Sequence, residues 1–338
     1  MAIAIPGAMF YVREMNNAIS AALRSGQPVQ NKGALQAELQ HWTFVKTWQG
    51  VAEWRSERHL TVQLATDASG FKWAGTLLSH NMSSREVSDY FAPGDQRPIH
   101  QKETEAVVKA LLSLGADIAH HRVDVLTDSM ALIGAWQKQG SHNSLFNDCL
   151  KQLFQTTLDL DLDLHLKYVN TKQNPADAPS RALNRQDAKL AGPYWRNIDD
   201  AFGPHTCDLM ALDSNCMTTK DGQLMRHFTP YPTPLSSGVN VFAQNVQAES
   251  NAYVFPPVSM IPSLLSFLQE GKISQCTAVL PVTPLKPAWW PKVLQFSMGK
   301  IKVASKGDRA VLWYPSRHGW QVDPHGLPWD LFAYKMSF

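Results

Sequence analysis

The first 58 residues carry apolar side chains at helical spacing. In FYVREMNNAISAALRS, apolar positions recur with the period of a helix until Gly26-Gln27-Pro28 interrupts the run. A second stretch, ALQAELQHWTFVKTWQG, has the same period and ends at Gly50. Two helices of this length make a poor core by themselves. Residues 1–58 are therefore predicted to be a helical segment that belongs to, or braces, a larger unit.

The periodicity changes at His59. LTVQLATDAS alternates between apolar and polar positions, which is typical of a strand, and FKWAGTLLSH and EVSDYFAP are predicted to continue a meander. HQKETEAVVKALLSLGADI returns to helical spacing. The strand RVDVLTDS, two helices and the strand DLHLKYVN follow, which gives the order β-β-β-α-β-α-α-β. Residues 59–185 are thus predicted to form a mixed β-sheet flanked by helices, an α/β fold.

Proline becomes frequent after about residue 186, but strand-like apolar runs persist. HTCDLMAL, SNAYVF, CTAVLPV and AVLWYPS are predicted as strands, and VSMIPSLLSFLQEG as a helix between two of them. Residues 186–338 are therefore predicted to form a second, smaller α/β domain of Rossmann-like type.

Composition limits the function without naming it. The chain has 338 residues, 44% of them hydrophobic, which is enough for two cores. A net charge of +2 neither establishes nor excludes a nucleic-acid partner. No apolar run is long enough for a membrane span, and the start, MAIAIPGAMFYVREMNN, lacks the features of a signal peptide. The four scattered cysteines favour a reducing compartment. We expect an intracellular protein, cytoplasmic or nuclear, without a membrane partner.

Four acidic residues occupy positions suited to metal chemistry. Asp67 and Asp128 lie at predicted strand ends, Glu103 lies at a helix start, and Asp177 lies in a loop that leads into a helix. Such positions open on one edge of an α/β sheet, so the side chains could converge. Carboxylate oxygens bind Mg²⁺, and two such ions can align water and leaving group in phosphodiester hydrolysis. Each residue taken singly is more typical of a turn or cap.

The flanking sequence resembles the ribonuclease H domains of reverse transcriptases. LATDASGFKWAGTLLS resembles their first strands, IHQKETEAVVKALLSL their first helix, and VLTDSMALIGAWQKQG their third carboxylate strand with its helix. YVNTKQNPADAPSRAL resembles the ending found in long-terminal-repeat and tyrosine-recombinase retroelements. The alignment places Glu103, not Glu105, at the catalytic glutamate, because Ala106, Val107 and Leu111 then fall on core positions.

The resemblance extends to both flanks. PGAMFYVREMNNAI and LQAELQHWTFVKTWQG resemble the connection between polymerase and ribonuclease H in DIRS-type retroelements, and FGPHTCDLMALDSNC resembles the region downstream in the same elements. It implies a reverse transcriptase polymerase domain as a partner in a longer polyprotein. Without a Tyr-x-Asp-Asp motif, polymerase activity is not expected of this chain.

The resemblance also implies a reaction, hydrolysis of the RNA strand of RNA–DNA hybrids with two Mg²⁺ ions, for which Mn²⁺ can substitute. Asp67 would bridge both ions, Glu103 and Asp128 would complete one site, and Asp177 the other. Two departures from the family concern the rate of the reaction and the binding of the hybrid. The loop NTKQNPA lacks the histidine that many relatives carry, and Met130-Ala131 stand where retroviral enzymes grip the DNA strand.

A hybrid would be recognised by its shape, phosphates and 2′-hydroxyls. Lysines and Arg181 near the carboxylate edge are predicted phosphate contacts, Lys138 among them, and Ser69 and Asn174 are predicted 2′-hydroxyl contacts. The candidate substrate-binding residues are Ser69, Lys72, Lys102, Ser129, Lys172, Asn174 and Arg181. Each lysine taken singly is more typical of an ordinary solvated side chain.

The segment NAYVFPPV resembles the Asn/Asp-Pro-Pro-aromatic region of phage-type adenine methyltransferases. Phe255 stands where the family has a polar residue, and no Gly-x-Gly cofactor loop is visible. We therefore expect a degenerate methyltransferase-like domain with no cofactor-binding residues and no methyltransferase activity. A simple Pro-Pro turn is an alternative interpretation. For the whole chain, the alternative function is an inactive retroelement remnant that binds nucleic acid or protein.

Overall fold

The computed structural model describes residue 5 and residues 7–47, 61–78, 84–271 and 273–338. Its α-helices are α1 (Arg13–Ser25), α2 (Ala34–His41), α3 (Ile99–Ser113), α4 (Gly115–Ile118), α5 (Met130–Gln137), α6 (Ser144–Asp159), α7 (Asp177–Arg181), α8 (Gly192–Phe202), α9 (Ile261–Glu270) and α10 (Trp290–Phe296). Its strands are β1 (Thr61–Ala68), β2 (Lys72–Leu78), β3 (Arg85–Tyr90), β4 (Arg122–Thr127), β5 (Asp163–Tyr168), β6 (Lys189–Leu190), β7 (Cys207–Asp208), β8 (Arg226–Thr229), β9 (Gly238–Val239), β10 (Ala252–Val254), β11 (Cys276–Val282), β12 (Ser297–Ala304), β13 (Leu312–Ser316), β14 (Gly319–Val322) and β15 (Asp330–Met336). The predicted helix end at Gly50 and the boundary at residues 58 and 59 lie outside the described residues. No helix in the described ranges is long and apolar enough to cross a membrane.

The N-terminal segment is helical where the structure describes it. A 3-10 helix (Ala8–Tyr11) precedes α1, and Gly26 ends α1 in the left-handed conformation that glycine adopts at little cost. The buried ring of Phe10 packs between Trp136 and Phe154, with ring centroids 5.4 and 5.3 Å away. The segment is thus anchored on α5 and α6 of the unit that follows it.

The first sheet has the order β3-β2-β1-β4-β5. β1, β2 and β3 form the predicted antiparallel meander, and β4 and β5 extend the sheet in parallel with β1. The short helix α4 is an addition to the predicted order of elements. The prediction of a mixed sheet in an α/β fold is confirmed.

Helix α3 lies unusually close to this sheet. A Cβ atom at Gly75 of β2 would lie only 2.6 Å from the Cβ of Ala110 on α3. Glycine is therefore required at that point, where helix and strand meet. The fully buried side chains of Val107 and Leu111 on α3 and of Leu64 on β1 belong to the core that this contact closes. The close packing holds the C-terminal half of α3 against β2.

The second sheet has the order β12-β15-β11-β10-β7-β8-β9. β9, β8, β7, β10 and β11 run parallel, whereas β15 is antiparallel to both β11 and β12. Apolar clusters cover both faces, one including Leu264 and Leu268 of α9 and the other Trp195 and Ile198 of α8. A smaller sheet with the order β14-β13-β6 accompanies it.

Edge strand β3 is fastened to residues of the C-terminal half. The indole N–H of Trp320 donates to the carbonyl of Phe91 at 3.2 Å, and its ring packs edge-on against Tyr90. The backbone N–H of Ser214 donates to the carboxylate of Asp89 at 3.0 Å. Burial raises the pKa of Asp89 to about 6, although the bonds from Ser214 lower it. These contacts tie β3 to β14 and to the segment between β7 and β8, on the side of the β1–β2 hairpin.

Candidate active site

The four predicted carboxylates reach one edge of the first sheet. Asp67 is the penultimate residue of β1, and Asp128 follows the last residue of β4. Because β1 and β4 are parallel neighbours, their carboxyl ends open on the same edge. Glu103 lies early in α3, and Asp177 begins α7. The charges of Asp128 and Asp177 act on Asp67, and that of Asp128 acts on Glu103, so the four carboxylates form one electrostatic group.

Asp67 is the most buried of the four, with 4% of its surface exposed. The pKa of its carboxyl is raised from 3.8 to about 6, mainly by burial and also by the negative charges of Asp128 and Asp177. A hydrogen bond donated by the hydroxyl of Ser180 and the charge of Arg181 act in the opposite direction. The ionised carboxylate of Asp67 therefore destabilises the folded protein, and a cation bound at this edge would reduce that destabilisation.

Glu103 shares this environment. Burial raises the pKa of its carboxyl group, and the charge of Asp128 raises it as well, whereas a hydrogen bond with the hydroxyl of Ser129 lowers it. Ser129 is also the N-cap of α5, where its side chain accepts a hydrogen bond from the N–H of Leu132. One serine thus links the start of α5 to the carboxylate on α3.

Asp128 has one oxygen bound and one free. The hydroxyl of Thr171 donates to Oδ2 at 2.5 Å. Oδ1 is buried and has no hydrogen-bond partner among the described residues. An acceptor that is buried without a donor is costly, and at a functional site it points to an ion or water. Oδ1 of Asp128 is therefore an acceptor that an ion or a water molecule could satisfy.

The donor set suits Mg²⁺, which prefers carboxylate oxygens and retains several waters. The side chains are nonetheless not preassembled: within the described ranges, no three His, Cys, Asp or Glu side chains are arranged to hold an ion. Like charges repel, and most of these carboxylates bind hydroxyl or guanidinium donors of the protein instead. Coordination requires the side chains to exchange these donors for the ion, so the metal-binding roles stay a prediction.

Two of the predicted phosphate contacts are buried, which corrects their assignment. The ammonium of Lys72 donates to the carbonyl of Ala182 at 3.1 Å, and burial lowers its pKa. The ammonium of Lys102 donates to the carbonyls of Gly70 and Asp95 at 2.6 and 2.9 Å. Both side chains link separate segments of the backbone, because a buried ammonium must find acceptors inside the protein. Neither is free to bind phosphate in this conformation.

The three small polar candidates are also occupied within the protein. The hydroxyl of Ser69 accepts hydrogen bonds from two backbone N–H groups of the β1–β2 hairpin. The amide of Asn174 donates to the carbonyl of Thr66 at 3.0 Å and so ties the loop after β5 to β1. Ser129 caps α5. All three are buried, so they shape the edge and do not reach a substrate directly, contrary to the prediction.

The remaining candidates are exposed. Lys172 lies in the loop after β5, beside Thr171, and Lys138 ends α5. The guanidinium of Arg181 pairs with the carboxylate of Asp177 at 2.8 Å. These side chains can meet a phosphate without unfolding any element, and their predicted role as phosphate contacts stays a prediction.

Two site residues escaped the sequence analysis, Ser180 and Thr171. Ser180 lies three residues after Asp177 in α7, and its hydroxyl donates to the carboxylate of Asp67 across 113 positions of sequence. Thr171 donates to Asp128 across 43 positions. Their proximity to predicted carboxylates was the only signal available, because hydroxyl residues are common in loops and helix starts.

The Asn-Ala-Tyr-Val-Phe-Pro-Pro segment spans β10 and the turn after it. The side-chain amide of Asn251 donates to the carbonyls of Phe202 and Pro204 at 2.9 and 2.8 Å. Its oxygen accepts from the ammonium of Lys335. The amide therefore serves the fold, and half-buried Phe255 offers no polar acceptor in its place.

No family model matches the chain, and no curated protein matches it. Among solved structures it is similar to the ribonuclease H1 of the archaeon Halobacterium salinarum NRC-1, at 20% identity and a TM-score of 0.31, over 35% of this chain and 93% of that one. It is also similar to LC11-RNase H1 in complex with an RNA/DNA hybrid, at 16% identity and a TM-score of 0.31, over 35% and 91% of the two chains. A third similar structure is the N-terminal ribonuclease H domain of a Mycobacterium tuberculosis protein, at 14% identity and a TM-score of 0.30, over 35% and 89%.

Proposed function

We propose that residues 59–185 form a ribonuclease H domain that hydrolyses the RNA strand of RNA–DNA hybrids. The observation that carries the proposal is the electrostatic coupling of four carboxylates at one sheet edge, with Oδ1 of Asp128 buried and without a partner among the described residues. Hydrolysis of a phosphodiester by two divalent ions requires such a set of oxygen donors. The sequence resemblance to DIRS-type retroelements supports a retroelement origin, with a polymerase domain as partner.

Mg²⁺, or Mn²⁺ in its place, would supply an activated water and neutralise the charge that develops on the phosphate. Asp67, Glu103, Asp128 and Asp177 would hold it through their carboxylate oxygens. Ser180 orients the carboxylate of Asp67 by its hydrogen bond, and it can keep that bond to one oxygen while the other oxygen coordinates. The protein's part is therefore to fix the positions of the carboxylates.

The substrate side of the proposal rests on the exposed cations. A hybrid presents phosphates and 2′-hydroxyls, which are recognised by shape and charge. Lys172 is exposed and directly follows Thr171, whose hydroxyl binds Asp128, so its backbone lies near the carboxylate edge. Coordination by Asp177 would release the guanidinium of Arg181, which would then be available to a phosphate.

The alternative is a non-catalytic module that binds nucleic acid or protein. It is favoured by one observation, the engagement of site carboxylates with Ser180, Thr171 and Arg181 in place of a preassembled metal cluster in the described part of the chain. On this alternative the carboxylates would be structural acceptors only.

A cleavage assay with matched variants separates the two. The purified full chain is incubated with an RNA–DNA hybrid, double-stranded RNA and double-stranded DNA, each in Mg²⁺, Mn²⁺ and EDTA. Asp128→Asn removes a proposed ligand, and Asp148→Asn, an exposed residue on α6, is the matched control. We expect metal-dependent cleavage of the hybrid alone, lost by at least about 100-fold in Asp128→Asn and unchanged in Asp148→Asn. Hybrid binding without cleavage in either metal would support the alternative.

We further propose that residues 186–338 form a Rossmann-like domain of degenerate methyltransferase type. Five parallel strands in the order β9-β8-β7-β10-β11, with the order reversing beside β7, support this fold. Phe255 and the engaged amide of Asn251 support the loss of methyl transfer. Incubation of the full chain with S-adenosylmethionine and DNA tests this, since detectable DNA methylation would refute the degenerate assignment.

A further inference from the structure

A cavity of about 280 Å³ opens at the carboxyl end of the second sheet. Leu209, Pro230 and Phe255 line it, and they directly follow β7, β8 and β10. The strand order reverses here, since β8 and β9 extend to one side of β7 while β10 and β11 extend to the other. In open parallel sheets, this reversal point is where ligands bind. The four carboxylates of the first sheet do not line the cavity, so it is a separate site.

The lining combines apolar side chains with polar and acidic ones. Within the described part of the chain, no lysine or arginine lines the cavity. Two acidic side chains do, so a phosphate group would have no oppositely charged partner in the lining. The apolar and aromatic walls suit a flat ring. The residues that decide this are Met210, Phe242, Phe255, Asp187, Asp208 and Asn240.

Tyr253 gives an independent sign of a ligand. It is fully buried and lines the cavity, and its hydroxyl has no hydrogen-bond partner among the described residues. Tyr253 and Asp208 are register partners in the parallel pair of β10 and β7, so their side chains share a face of the sheet. An unpartnered buried hydroxyl is unfavourable, and a ligand acceptor beside it would remove that cost. The pair thus offers one donor and one acceptor side by side.

We propose that this cavity binds a free nucleoside without a phosphate group. Its base packs against Phe255 and Met210, its amino or imino group donates to Asp208, and one of its acceptors receives the hydroxyl of Tyr253. The size fits, because the cavity lies at the small end of the range for ligand sites, near 300 Å³. The cavity contains none of the residues of the carboxylate edge and does not require a bound hybrid. The nucleoside proposal can therefore be tested independently of the nuclease proposal.

Calorimetric titration of the full chain tests the proposal, with adenosine, guanosine and cytidine as probes beside their 5′-monophosphates. We expect at least one nucleoside to bind, and its monophosphate to bind at least about 10-fold more weakly, because no lysine or arginine of the described residues lines the cavity to pair with the phosphate. Absence of binding by all three nucleosides, or equal binding of the monophosphates, would overturn it.

Two variants locate the binding. Tyr253→Phe removes only the hydroxyl and should weaken nucleoside binding about 5- to 10-fold. Since that hydroxyl is unpartnered, the variant should unfold at the same or a higher urea concentration than the wild type. Met210 is half-buried and lines the cavity, so the larger side chain of Met210→Trp should fill the cavity and abolish binding. Unchanged affinity in both folded variants would place the ligand elsewhere and refute the assignment.

Discussion

Replacing Asp67 by asparagine is expected to stabilise the folded protein while it removes the proposed activity. Burial raises the pKa of this carboxyl from 3.8 to about 6 in the folded state. A carboxyl that holds its proton more tightly when folded lowers stability once it ionises, so the loss begins near pH 4 and is complete above about pH 6. At about 1.4 kcal/mol per pH unit, the loss is about 3 kcal/mol at neutral pH. Asparagine carries no charge and can still accept from Ser180, so we expect it to recover about 2 kcal/mol.

The assay is urea unfolding of the wild type and Asp67→Asn in EDTA, at about pH 8 and about pH 4.5, with Asp148→Asn as the control. The gain should be present at the higher pH and nearly absent at the lower. Added Mg²⁺ should reduce the gain, because the ion stabilises only the folded state that binds it. A loss of stability that is equal at both pH values would refute the reasoning, since it would mean that the carboxylate is a favourable structural acceptor.

Three further changes test other parts of the molecule. Gly75→Ala should lower the free energy of unfolding by about 1–3 kcal/mol, measured in urea, because the new Cβ would lie 2.6 Å from the Cβ of Ala110; unchanged stability would mean that α3 can move away from the sheet. Trp320→Ala should cost about 3 kcal/mol and loosen β3, measured as faster amide exchange in that strand, because it removes the packing against Tyr90; exchange confined to the C-terminal half would argue against the link. Lys172→Ala should weaken hybrid binding and lower the slope of log affinity against log salt concentration by about one, measured by anisotropy across a salt series with Ca²⁺ in place of Mg²⁺. An unchanged slope would exclude that phosphate contact.

The first sheet could be predicted from the sequence because its information is local. Alternation in β1 and helical spacing in α3 each lie within one element, and they fix both the type and the order of the elements. The positions of Asp67 and Asp128 at strand ends followed from the same pattern. The shared edge then follows from the parallel pairing of the two strands.

The roles of the lysines could not be predicted in this way. Lys72 is held by a carbonyl 110 positions away, and Lys102 by a carbonyl 32 positions away. A lysine looks the same in sequence whether its ammonium meets water or a buried carbonyl, because burial depends on contacts between distant segments. Proximity to the carboxylates was therefore mistaken for access to substrate.

The second sheet was predicted only in part for a similar reason. The strand-like runs became β7, β10 and β11 of this sheet and β13 of the smaller sheet, but β8 and β9 at one end and β12 and β15 at the other were not identified. The exposed positions of β12 include Lys300 and Lys302, so its apolar pattern is weak. The strand order is set by contacts between remote segments, which no local period contains.

The most direct test of the central claim is cleavage of an RNA–DNA hybrid with a different label on each strand, by the purified full chain in Mg²⁺. We expect the RNA strand alone to be cut, with no cutting in EDTA and a loss of at least about 100-fold, or about 2.7 kcal/mol of transition-state stabilisation, in Asp67→Asn. An intact RNA strand in Mg²⁺ and in Mn²⁺, or equal cutting by the wild type and by Asp67→Asn, would contradict the account.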